Sequence, residues 1–202
     1  MSAAPGAKTS LWDYSVALYG RAGVAAACLG LQERRGADVN LLLFCCWVGG
    51  AGRVLRGDEI DRLVATVAPW RTAVIEPLRA VRRNLKAPPG GAPAHAVRAL
   101  RARVGKDEIG AEAIEQAMLA DALSHRPAPP PAAPATAIAA NMALYLNTLG
   151  APPSDADLAD ATTILCTCCP DTRPLEALRL MVVNPDPAGR APSCRPRSRP
   201  SG

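Results

Sequence analysis

The chain has 202 residues, of which 49% are hydrophobic and 20% charged, with a net charge of +5; this suits one main globular core with at most a small appendage and excludes a disordered or fibrous protein. The opening MSAAPGAKTS has no apolar stretch after its lysine, so no secretory signal is expected. The longest strongly apolar run, residues 39–52, falls short of the roughly 18 to 20 residues that a membrane span needs, which leaves a cytoplasmic protein without a transmembrane segment as the expectation.

In chain order, Ser10 with Asp13 three residues on reads as a helix cap before LWDYSVALY, and Gly20 and Gly23 predict a break before a second helix, GVAAACLGLQERR, that Gly36 ends. Asp38 caps the next segment, VNLLLFCCWVGG. It is short enough for a strand by residue type, but its flanking caps favour a helix that is apolar on every side and belongs at the centre of a bundle. Asn40, the polar residue in its first turn, is expected to cap or to hydrogen-bond internally. Gly57-Asp58 repeats the stop-and-cap pattern before DEIDRLVATVA, a helix expected to run into Pro69 and to bend or restart there.

Beyond it, Trp70, Val74, Leu78, Val81 and Leu85 form an apolar stripe with a local kink at Pro77, and APPGGAP closes the helix as a loop. Residues 94–126 read as two helices or one bent helix, because Gly105 and Gly110 interrupt them. A polyproline connector at 127–134 leads to a helical hairpin extension at 135–183, which packs on the main domain at 10–126. The tail at 184–202 is Pro, Arg and Ser with little to bury, hence disordered. The fold class is therefore all-α, a bundle of about six to eight helices with a disordered C-terminal tail.

The blocks LWDYSVALYGRAGVAAACLGLQERRGADVNLLLFCCW and APWRTAVIEPLRAVRRNLK resemble a proteobacterial family of uncharacterised helical proteins, a domain of unknown function. The likeness is most specific over residues 10–86 and looser to about residue 170. It implies a bacterial origin and a shared helical fold, and it carries no catalytic residues.

Charge is the most informative feature for function. Residues 53–106 carry twelve Lys or Arg against four acids, a balance of +8, whereas 107–170 carry one Arg against eight acids, a balance of −7. Arg79, Arg82, Arg83 and Lys86 share one helix face and are the candidate anion-binding residues, for a nucleotide, a nucleic acid or a phospholipid headgroup. Because charged helix faces are ordinarily solvated, the competing expectation is a plain solvated face, or internal pairing in which Arg79, Arg82 and Arg83 face Glu108, Glu112 and Glu115. No Gly-rich phosphate loop or helix-turn-helix signature accompanies the arginines, so nucleic acid is the weaker partner.

Seven cysteines, two pairs of them adjacent (Cys45-Cys46 and Cys168-Cys169), suit reduced core thiols better than a disulfide framework. The C-x-C-C group of Cys166, Cys168 and Cys169 lacks zinc-knuckle spacing, and His95 and His125 lie far from it in sequence, so neither metal nor cofactor is expected. The acids of DEID and SDADLAD read as first-turn residues favoured by the helix dipole. Trp12, Tyr14, Tyr19, Phe44 and Trp47 read first as core and second as the wall of a ligand pocket. With no nucleophile beside a base, these readings favour a non-enzymatic helical adaptor or regulatory protein whose partner is another protein, with an anionic-ligand binder or enzyme as the alternative.

Overall fold

The computed structural model describes residues 9–88, 90–123 and 130–183. The described residues are all-α, without a strand: α1 (Leu11–Tyr19), α2 (Val24–Arg35), α3 (Val39–Gly50), α4 (Gly57–Trp70), a π-helical segment (Arg71–Ile75), α5 (Glu76–Asn84), α6 (Ala94–Leu123), α7 (Pro134–Asn147), α8 (Asp155–Cys168) and α9 (Pro174–Val183). Because α4, the π-helical segment and α5 run on without a break, these make eight rods, in keeping with the bundle expected from the apolar patterning. Residues 124–129, which include His125 and the first three residues of the expected connector at 127–134, and the tail from Asn184 lie outside the described residues.

The caps set the entry angles. Ser10 Oγ accepts the Asp13 N–H at 3.1 Å, Asp38 Oδ1 accepts that of Asn40 at 2.8 Å, and Ser154 with Asp157 forms a reciprocal box before α8. Gly36 closes α2 with a left-handed φ of 67°, its N–H on the Gln32 carbonyl. α4 starts one residue earlier than expected. Asp58 lies inside the first turn, and it is the Glu59 carboxylate that returns to the Arg56 N–H at 3.0 Å.

Where the sequence left a bend or a break open, the chain stays helical. α4 passes through Pro69 unbroken, and the chain absorbs Pro77 as a π turn in which the Glu76 N–H bonds back to Arg71, five residues earlier. Proline crowds the carbonyl four residues before it, and widening the preceding turn relieves that clash without ending the helix. α6 is one helix of 30 residues through both Gly105 and Gly110.

The core forms where α3 and α7 cross. α3 buries nine of its twelve residues, α7 buries ten in succession from Ala137 to Leu146, and the two are each other's main partner. The backbones meet at Gly49, where a Cβ would stand 2.6 Å from Ile138 Cα, so only glycine fits. α8 packs on α2 and α9 more than on α7, tied there by Arg34, which donates to Asp157 Oδ1 at 2.9 Å and to Asp160. Asn141, wholly buried on α7, accepts the Leu55 N–H at 2.7 Å and donates to the Arg53 carbonyl at 2.9 Å, pinning the α3–α4 loop. α6 packs on α1, α3 and α5, and a gap remains among α1, α2, α3, α5 and α6.

Candidate functional site

That gap is a cavity of about 490 Å³, within the range usual for small-molecule sites. Its walls are apolar: Trp12, Val16 and Tyr19 from α1, Leu29 from α2, Leu43 from α3 and Ile109 from α6. Ser15, Gln32, Asn40 and Gln116 contribute polar groups to the same lining, and Arg79, Arg82, Arg83, Glu108 and Glu112 contribute charged ones.

The arginines reach the cavity because α5 projects them across α6. Arg79 donates from Nε to Glu108 Oε1 at 3.1 Å, from Nη2 to Glu112 Oε1 at 2.9 Å and from Nη1 to Gln32 Oε1 at 3.1 Å. Arg82 grips both oxygens of Glu108, and its stem runs past Gly105, where an added Cβ would stand 3.4 Å from the Arg82 Cδ. Burial works to raise the Glu108 carboxyl, but the bonds from Arg82 and Arg79 outweigh it and hold the group below the ordinary carboxylate value. Glu112, bound by Arg79 alone, is pushed up by burial.

Of the four sequence candidates, then, Arg79 and Arg82 are bound to acids of α6. Arg83 lies exposed at the cavity edge, and Lys86 is exposed outside it; no carboxylate among the described residues pairs with either. The cross-helix pairing involves Glu108 and Glu112 but not Glu115, which faces Asn40 instead. Three guanidinium groups against two carboxylates leave the cavity with a surplus of one positive charge.

The polar side of the lining is a buried chain of amides and acids. Gln116 donates to Asn40 Oδ1 at 2.8 Å, Asn40 donates to Glu115 Oε2, and Glu115 stands against Asp38. Burial and then the Asp38 charge push the Glu115 carboxyl up to about 8, so it holds its proton at neutral pH. Asp38 Oδ2 and Glu115 Oε1 are buried with no hydrogen-bond partner given to either among the described residues. Arg71, from the π-helical turn, closes the far end 3.8 Å from Asp38 Oδ2.

Two atoms in this region are unsatisfied. Ser15 Oγ and Gln116 Oε1 are buried with no partner among the described residues, and both side chains help to line the cavity. Neither was singled out from sequence. The available signal was spacing: Glu108, Glu112, Glu115 and Gln116 recur at helical intervals on one face of α6, opposite the arginines. Of the aromatic cluster, Trp12 and Tyr19 line the cavity, Phe44 is fully buried, and Trp47 packs on the core with its Nε1 donating to the Thr9 carbonyl at 3.2 Å.

No group of three or more His, Cys, Asp or Glu among the described residues is arranged to hold a metal ion. Nor is any single described helix long and apolar enough to cross a membrane; α1 and α2 would reach that length together, but they meet at 99°. A family model described as "Protein of unknown function (DUF2390)" matches residues 10–119, a span that contains every residue lining the cavity. No curated protein and no solved structure matches the chain.

Proposed function

The chain belongs to this family of unknown function, and from that premise we propose that it is a non-enzymatic, bacterial cytoplasmic binding protein whose cavity takes a small amphipathic anion. One observation carries the reading: apolar walls, a surplus positive charge and two buried unsatisfied polar atoms meet in one cavity of ligand size. An alkyl or aryl body suits the Trp12, Leu29, Leu43 and Ile109 surfaces. The unpaired Arg83 suits a carboxylate or phosphate at the edge, while Ser15 and Gln116 suit a hydroxyl or amide carried on the body. Ser15 has no base against it, and no His or Cys lines the cavity, which favours binding over covalent chemistry.

Titration calorimetry with decanoate and its neutral analogue decanol tests the proposal. We expect one-to-one binding with decanoate preferred, loss of that preference in Arg83→Gln, and at least tenfold weaker binding of both in Val16→Trp, which fills the cavity edge from an exposed position. Failure of both probes to bind, or indifference to Val16→Trp, overturns it. A second reading, a cavity plugged by an apolar side chain of a protein partner, is favoured by the exposure of Val16, Leu29 and Ile109 around it. It becomes the better one if neither probe binds while Val16→Trp abolishes association with a co-purifying protein.

A further inference from the structure

From Pro77 to Lys106 the chain holds eight Arg or Lys and no acid. Arg79 reaches Glu108 and Glu112, whereas Arg82 reaches Glu108 and lies over Gly105, so α5 and α6 run antiparallel. Their cavity-lining stripes therefore leave the cavity in the same direction. On α5 the stripe of Arg79, Arg82 and Arg83 continues to Lys86. On α6 the stripe of Gln116, Ile109 and Gly105, spaced seven and four residues apart, continues after seven more to Arg98. Arg101, one turn from Gly105, and Lys106 beside it border the same strip.

This strip is short of counter-charge. Arg83, Lys86, Arg98 and Lys106 are exposed, Arg101 is half-buried, and no carboxylate among the described residues pairs with any of the five. The exposed acids next to lining residues of α1 and α2 are Asp13 and Glu33, so five cations stand against two acids on this surface. Arg103 and Asp107, four residues apart, share another face of α6. Large apolar side chains mark the cavity end of the strip: Val16 is 56% exposed, Leu29 43% and Ile109 53%, and the half-buried Trp12 lines the cavity with them.

We propose that the basic strip and the cavity mouth together dock the protein on an anionic phospholipid surface, the cations on lipid phosphates and Val16, Leu29 and Ile109 at the acyl boundary. Cations by themselves suit any polyanion. The apolar trio selects the bilayer, because at a membrane interface such side chains leave water among acyl chains, whereas a sugar–phosphate backbone offers them nothing to pack on. Trp12 suits the headgroup level, where its ring and its N–H are both accommodated. The consequence for the cavity rests on the reading that it takes an amphipathic anion: a mouth held against the bilayer receives such a ligand from the membrane. Docking itself needs no ligand.

Full-length protein without added ligand should float on a density gradient with vesicles of equal parts phosphatidylglycerol and phosphatidylcholine. It should stay behind with phosphatidylcholine alone, and salt raised to about 1 M should weaken its flotation. The triple variant Lys86→Gln, Arg98→Gln, Lys106→Gln should float about tenfold more weakly with its circular-dichroism melt unchanged, since none of the three holds an ion pair. Val16→Glu should weaken flotation as well, and Arg103→Gln, on another face of α6, should leave it intact. Flotation that survives the triple variant, for instance through the arginines at 190, 195, 197 and 199, overturns the proposal. Equal loss in Arg103→Gln overturns it too, as does binding of a short DNA duplex in place of the vesicles. Decanoate titration without vesicles reports on the cavity separately, so failed flotation leaves the ligand cavity standing and a failed titration leaves the docking standing.

Discussion

Glu108 and Glu115 lie two turns apart on α6, yet their surroundings drive their protons in opposite directions. Glu108 is lowered on folding because the Arg82 and Arg79 bonds outweigh burial, so its stabilisation is present above the unfolded value of about 4.5 and is lost as pH falls through the folded one. Glu115 is raised to about 8, so its share is complete below about 4.5 and declines as pH rises through about 8. Melting followed by circular dichroism should therefore show stability falling on both sides. Glu115→Gln, which keeps a donor for Asp38, should flatten the alkaline limb and melt higher than the parent at pH 9. Glu108→Gln should weaken the acid limb, to which the lowered Asp157 also contributes, and cost about 2 kcal/mol at pH 7, because two guanidinium groups lose a charged acceptor. Sequence reading found the arginines and the acids, since helical spacing places each set on a face. It did not reveal that Glu115 answers to Asp38 and Asn40, because that depends on how α3 is turned against α6.

Among the elements, helix starts and the centrality of α3 were legible, since caps and uniform apolarity are local properties. At Pro69, Gly105 and Gly110, where the sequence left a bend and a break both open, the helices run on. A helix already packed along its length tolerates local costs of about 1 kcal/mol for a glycine, and the π turn accommodates Pro77. Gly49 separates local propensity from packing. In an isolated helix alanine is better by about 1 kcal/mol, but here its Cβ would meet the Ile138 backbone. Gly49→Ala should therefore destabilise by about 3 kcal/mol in urea denaturation, by overpacking at the α3–α7 contact. An increase in stability would mean that the two helices do not approach so closely.

For the whole molecule, the family match ends at residue 119 while the principal partner of α3 begins at Pro134. A chain ending at residue 123 exposes the face of α3 that α7 covers, and we expect it to lose cooperative thermal unfolding although every residue of the matched span is present. The sequence by itself determined the helical class, the caps, the buried identity of α3, the basic face of α5 and the acidic second half of α6, because each follows from residue types at fixed spacing along one chain segment. Tertiary structure alone decided that α7 crosses α3, that Arg79 and Arg82 are paired while Arg83 is left unpaired, that Ser15 and Gln116 share a cavity, and that Tyr14 meets Cys168. Each of these depends on the rotation and crossing of helices distant in sequence. Those are set by how side-chain volumes interlock across the core, and no periodicity along a single segment encodes them.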